Sequence, residues 1–291
     1  MNSTHRTAVT GASGFIGRNL IKMMQKTASE IVTVPRAVLY GDPAQLEKLL
    51  SGCQTVINLA GAPILQRWNA INRKIIYDSR VASTQRLILS INSLTPSNRP
   101  SCMISVSAIG IYQKGLQHDE ESNQYDQGFL GRVVTDWEKA SEGLPSDVRR
   151  VIFRLGLVLG REAVLFQKLK PLFRIGLGGK LGNGRQPFPF IDLDDLLTAF
   201  QNAVEQNHYR GIYNLVSPCE PTNGGFTKAM ANAMRRPAIW RVPGFTLKLL
   251  YGQAASLLLQ NPSVIPKRLI DQGFKFSSKT IEEVVKKMVK D

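Results

Sequence analysis

Thr10-Gly11-Ala12-Ser13-Gly14-Phe15-Ile16-Gly17 is the stretch on which the reading of this chain turns. Three glycines stand three apart. They follow the short apolar run Thr7-Ala8-Val9-Thr10 and precede Ile16, Leu20, Ile21 and Met24, which recur at helical spacing. A strand that breaks into a helix through such a turn needs each glycine for its own reason. Gly11 permits the tight bend, Gly14 lets the backbone approach a pyrophosphate, and Gly17 lets the helix pack close to the sheet. Free N–H groups at the helix start then face an anion, aided by about half a positive charge from the helix macrodipole. The setting of strand, turn and helix lifts this motif above a bare glycine triplet.

Outward from the turn, strands and helices alternate. Ile31-Val32-Thr33-Val34 is a strand closed by Pro35, and Thr55-Val56-Ile57-Asn58-Leu59 is the next. Val81, Thr84, Leu87, Ile88 and Ile91 share one helix face, and Met103–Val106 and Val151–Phe153 add two more strands. This alternation predicts an α/β fold, a doubly wound parallel Rossmann sheet with helices on both faces. It stops near Val164, where a glycine-rich, basic stretch runs to Pro189. Ile212–Val216 reads as one more strand, and the remainder as mostly helical. Thr280 and Glu283 form a capping-box pattern, with Ile281, Val284, Val285 and Met288 facing inward and Glu282–Lys286 and Glu283–Lys287 as supporting pairs. The expected organisation is a dinucleotide-binding domain over 1–163, to which 190–218 returns. A small, mostly helical substrate lobe is expected from 164–189 and 219–291.

Cofactor choice in such folds is made at the end of the second strand, where an acid receives the ribose 2′-hydroxyl of NAD. Here the strand ends Val34-Pro35-Arg36 with no acid. A guanidinium can pair with a 2′-phosphate that a carboxylate would repel, so Arg36 predicts NADP (NADPH when reduced). Composition narrows the classes further. The chain is 43% hydrophobic and 20% charged, which marks a folded globular protein. Its net charge of +15 suits nucleic acid, acidic lipid or an anionic small molecule. Aromatic residues do not interleave with a basic stripe, so no nucleic-acid partner is expected. Cys53, Cys102 and Cys219 are scattered and so are His5, His118 and His208, which supports neither a disulfide framework nor a metal site. The start runs straight into a strand without a signal-peptide core, and Phe245–Leu259 is too short and polar to span a bilayer. A cytoplasmic protein with no membrane partner is expected, and a homo-oligomer stays open.

The chain resembles the extended short-chain dehydrogenase/reductase superfamily, in its nucleotide-sugar epimerase branch. More narrowly, it is similar to the atypical epimerase family proteins, which join an NADP-binding domain to a conserved C-terminal domain of unknown function. Besides the glycine turn, the matching stretches include Gly41-Asp42, Asn58–Pro63, Asp78-Ser79-Arg80, Ser105–Gly110 and Phe129–Arg132 with Asp136-Trp137-Glu138. Gly182–Gln186, Phe190–Leu196 and Pro266-Lys267-Arg268 complete them. The resemblance implies that Gly11, Gly14 and Gly17 wrap the pyrophosphate, with Ser13, Phe15 and Ile16 in the same loop. It implies Asp42 at the adenine edge, and Leu59, Ala60 and Gly61 along the ribose. Arg80 belongs to the cofactor-binding set, and Arg154, Gly156 and Leu157 flank the nicotinamide. Lys180 and Arg185, in the glycine-rich stretch, are candidate contacts to a small, anionic substrate.

One part of the family pattern is missing. Active relatives carry a Tyr as general acid/base with a Lys four residues later, needed because a free phenol titrates near ~10. Those slots fall on Leu130 and Val134, and none of the seven tyrosines has a Lys four residues on. The serine slot is kept as Ser107. Proton transfer worth on the order of 10²–10⁴-fold is therefore unassigned. Tyr112, just beyond Ser107, is one candidate for it, and Arg80 or Asp136 lining the cleft is another. Two functional readings follow: an atypical NADP-dependent oxidoreductase or epimerase-like enzyme, and a non-catalytic NADP(H)-binding sensor or regulatory protein.

Overall fold

The computed structural model describes residues 5–27 and 30–290. Residues 1–4, on which the reading of the N-terminal start partly rests, lie outside these. Six strands form one sheet in the order Gly211–Leu215, Arg149–Leu155, Cys102–Ala108, Thr55–Asn58, Arg6–Thr10, Glu30–Val34. Every pairing in it is parallel. Its central strands are buried along their length, as a sheet covered on both faces requires. On one face Phe153 of the sheet packs with Leu20 of helix Phe15–Met24 and with Leu196 and Phe200 of helix Leu193–Glu205. On the other, Val56 and Met103 of the sheet pack with Leu46 and Leu50 of helix Pro43–Leu50 and with Leu87 and Ile91 of helix Val81–Ser93.

The chain leaves the first strand for the outer edge, then crosses back to lay Thr55–Asn58 on the first strand's other side. Strand order reverses between these two neighbours, and in open α/β sheets the ligand crevice lies at the carboxyl ends of such a pair. Thr10 stands in register with Asn58 there, so the glycine turn and the Leu59-Ala60-Gly61 segment leave the sheet side by side.

A separate apolar cluster holds the small, mostly helical lobe. It joins Phe166 and Phe173 of helix Val164–Arg174 to Phe226 and Met230 of helix Asn223–Met234. Ile281, Val284, Val285 and Met288 of helix Ile281–Val289 complete it, as their spacing predicts. The end of that helix differs from expectation. Thr280 caps it through Glu283 N–H at 3.2 Å, but Lys287 reaches past Glu283 to Asp192 at 2.7 Å and Asp194 at 3.4 Å. Asp192 also accepts from Ser278 Oγ at 2.6 Å, and Asp195 from Ser277 N–H at 2.6 Å. The Phe190–Leu196 motif is thus a clasp that ties the C-terminal segment to the sheet domain. Among the described residues, no helix is long and apolar enough to cross a membrane.

Candidate active site

The glycine turn has the conformation its sequence demands. Gly11 takes a left-handed φ of +64°, and a Cβ there would stand 2.5 Å from the Leu59 carbonyl oxygen. A Cβ on Gly17 would stand 2.4 Å from the Gly11 carbonyl oxygen. Both contacts are shorter than real side chains show, so the backbone closes over the turn only because these two residues are glycine. Gly14 donates to the Gly11 carbonyl at 3.0 Å and caps the first helix with no side chain. The amides of that helix's first turn therefore keep their place for an anion. Phe15 and Ile16 send their side chains into the packing beneath while their backbone frames the turn, and Ser13 is exposed at its tip.

A buried polar chain holds the two strand ends together. Thr10 Oγ1 donates to Asn58 Oδ1 at 2.8 Å and accepts from the Leu59 N–H at 3.1 Å. Asn58 Nδ2 donates to Thr84 Oγ1 at 2.9 Å, which also accepts from the Trp137 indole at 3.0 Å. Each of these polar groups is buried and partnered, which fixes the geometry of the crevice floor.

A second polar constellation sits at the end of the neighbouring strands. Ser107 and Arg154 face one another in register, and helix Phe129–Ala140 lays Glu138 across them. Ser107 Oγ donates to Glu138 Oε1 at 2.6 Å. The Arg154 guanidinium, 1% exposed, binds the same carboxylate through two bonds of 2.8 and 2.7 Å. Burial works against the Arg154 cation, but Glu138 and Tyr112 more than offset it and its pKa is raised. In the sequence Glu138 stands only within a stretch that matches the family, with no role of its own. The signal that could have found it is that two adjacent strands end in Ser107 and Arg154 beneath the helix that carries it.

Two of the expected site residues are tied into this constellation. Tyr112 is wholly buried, with its ring stacked on His118 at 4.8 Å. Its hydroxyl accepts from Arg154 at 2.8 Å and lies 2.9 Å from the Asp119 carbonyl and 2.8 Å from Asn214 Oδ1, both acceptors. Burial pushes its pKa up to about 12, against the opposing pull of Arg154. A hydroxyl so engaged is not presented as a proton donor. Arg154, expected to flank the nicotinamide, is spent on Glu138 and Tyr112 beneath the cleft, whereas Gly156 and Leu157 line it.

The cleft itself is a cavity of about 1290 Å³. Leu59, Ala60, Gly61, Arg80 and Ser107 stand at its sheet end, Leu130, Val134 and Trp137 along one wall, and Leu257, Leu258 and Leu259 on the lobe side. Arg80 donates to the Ala62 carbonyl at 3.0 Å and lies against the Trp137 ring at 5.3 Å. Among the described residues no carboxylate pairs with it, and burial lowers its pKa to about 10. Asp136 accepts instead from the Tyr77 hydroxyl at 3.2 Å. Lys180 and Arg185 are not in this cavity. They line a separate surface pocket of about 540 Å³ with Asn183, Trp240 and Arg241, because the short strand Gly179–Leu181 pairs with Trp240–Val242 there. Arg36 is exposed just past the second strand, over the Tyr40 ring at 5.6 Å, and no described carboxylate pairs with it. Asp42 caps helix Pro43–Leu50 through the Ala44 N–H at 3.0 Å.

Comparison with known proteins agrees with this geometry. The model of the NAD dependent epimerase/dehydratase family matches residues 7–215, and that of a domain of unknown function, DUF1731, matches residues 242–288. Epimerase family protein SDR39U1 of Mus musculus is 34% identical over 293 residues, covering 98% of this chain and 99% of that protein. The crystal structure of human epimerase family protein SDR39U1 (isoform2) with NADPH has a TM-score of 0.91 and 32% identity, covering 98% and 99% of the two chains. A UDP-glucuronic acid 4-epimerase from Bacillus cereus, at 16% identity and a TM-score of 0.78, shares the fold.

Proposed function

The chain belongs to the NAD dependent epimerase/dehydratase family, and on that premise we propose that it is an NADPH-dependent oxidoreductase with a serine–glutamate pair in place of the usual tyrosine and lysine. The observation that carries this reading is the juxtaposition of a glycine cradle, closed to any side chain, with a cavity whose polar end holds Ser107. Gly11, Gly14 and Gly17 would hold the pyrophosphate, Arg36 the 2′-phosphate, Asp42 the adenine edge, and Leu59–Gly61 with Arg80 the ribose side. The NADPH-bound human relative supports that choice of dinucleotide. When bound, NADPH supplies a hydride from its nicotinamide ring. Ser107 Oγ would turn its O–H from Glu138 Oε1 toward the oxygen of a substrate carbonyl, a hydrogen bond that steadies the charge the hydride leaves there, with the proton itself drawn from solvent. Arg154 holds the carboxylate in place through both oxygens.

A non-catalytic NADP(H)-binding regulator is the second reading, favoured by the apolar Leu130 and Val134 in the acid and lysine positions. Two measurements decide between them. Equilibrium titration should give tight NADPH binding, with the preference over NADH reduced about 10- to 100-fold in Arg36→Asp, the worth of a charged hydrogen bond. An unchanged preference would remove Arg36 from the site. NADPH oxidation with a carbonyl panel should fall on the order of 10²-fold or more in Ser107→Ala. Tight binding with no turnover on any substrate would favour the regulator.

A further inference from the structure

We propose that the cavity takes a bulky, largely apolar molecule with a conjugated carbonyl acceptor of the quinone type, rather than a nucleotide sugar or another small anion. This deepens the oxidoreductase reading and rests on it for the redox step, though not for binding. Three observations carry it.

The first is size and surface. The cavity of about 1290 Å³ takes in the end given to the cofactor and runs on past Leu257, Leu258 and Leu259 on the lobe side. Its walls are Ile64, Trp68, Phe129, Phe188, Phe226 and Leu257, among other apolar side chains. Burying such surface favours an apolar occupant and penalises a hydrated one.

The second is where the positive charge lies. Lys180 and Arg185, the cations expected to meet an anionic substrate, face a different pocket. Within the cavity, Lys114 is paired with Asp126 at 3.7 Å, and Lys168 and Lys248 are exposed. Arg80 is held deep, beside Gly61 at the sheet end, its guanidinium bonded to the Ile76 and Ala62 carbonyls on the side given above to the cofactor's ribose.

The third is the absence of a strong acid. Leu130 and Val134 occupy the acid and lysine positions, the Tyr112 hydroxyl is held by Asp119, Asn214 and Arg154, and at rest the Ser107 proton points to Glu138. A simple ketone would leave an alkoxide, which must be protonated as it forms. A quinone leaves a delocalised anion, which a hydrogen bond from Ser107 can stabilise until water protonates it. The balance is one quinone, one NADPH and one proton giving one hydroquinone and NADP⁺. A carbon–hydrogen bond of the dihydronicotinamide breaks, its electron pair and hydrogen go to the quinone, and the second hydrogen comes from solvent.

Binding is read without cofactor, because Trp68 and Trp137 line the cavity and quinones quench indole fluorescence. Titration with an alkyl-substituted naphthoquinone should give saturable quenching that UDP-glucose does not displace. Leu257→Asp, on the half-buried lobe wall, and Leu65→Asp, at a more exposed position that tolerates charge, should each weaken it about tenfold. With NADPH added, the quinone should be reduced faster than a simple aliphatic ketone. Absence of saturable quenching in the folded protein, displacement by UDP-glucose, or indifference to both substitutions would overturn the proposal. A failure to bind NADPH would strike the cofactor assignment instead, and the quench titration keeps the two apart.

Discussion

Replacing Glu138 by alanine should be among the most damaging single changes in the sheet domain. Arg154 is 1% exposed, and Glu138 accepts two of its hydrogen bonds, at 2.8 and 2.7 Å. Without the carboxylate, the guanidinium keeps the Tyr112 hydroxyl and loses its counter-charge, and Ser107 loses the acceptor of its proton. Stranding one partner of a buried ion pair costs about 3–5 kcal/mol, a large part of the roughly 5–15 kcal/mol by which a domain is stable. The double variant Glu138→Leu with Arg154→Met removes both charges and should recover much of that loss. Urea denaturation at neutral pH, followed by far-ultraviolet circular dichroism, measures all of these. A loss below about 1 kcal/mol in Glu138→Ala, or no recovery in the double variant, would refute the view that the pair is a buried, mutually dependent unit.

Gly17→Ala should abolish measurable NADPH binding, because its Cβ would lie 2.4 Å from the Gly11 carbonyl oxygen and 2.9 Å from the Ala12 backbone; retained affinity in a titration would contradict the cradle geometry. Tyr112 should make the protein sensitive to alkali. The unfolded chain releases the phenol proton near its ordinary 10.0 while the fold retains it to about 12, so this stability is complete below pH 10 and lost as pH rises through 12. At about 1.4 kcal/mol per unit, the loss is up to about 3 kcal/mol, and Tyr112→Phe should flatten that limb of the stability profile. Lys287→Met should cost no more than about 1 kcal/mol and become neutral at high salt, since Lys287 is partly exposed; a larger, salt-independent loss would assign it a buried role.

Local rules were sufficient for the elements and for the conformation of the glycine turn. The run Thr7–Thr10, the glycine spacing and the helical recurrence of Ile16, Leu20 and Met24 each state a short-range steric demand, and short-range demands are written in neighbouring residues. Arg36 stands where the sequence puts it, immediately after its strand. The Ser107–Glu138–Arg154 constellation was not, because it exists only where parallel register sets residue 107 beside residue 154 and a crossing helix drops residue 138 between them. Lys287 chose Asp192 over the neighbouring Glu283 on the same principle: a carboxylate already held by the clasp loses less freedom on pairing than two mobile surface side chains do. Lys180 and Arg185 show the limit most plainly. Their chemistry was read from the residues, but the pairing of Gly179–Leu181 with Trp240–Val242, some sixty residues apart, decided which pocket they face. Residue type sets what a side chain can do, and long-range packing alone sets what it does it to.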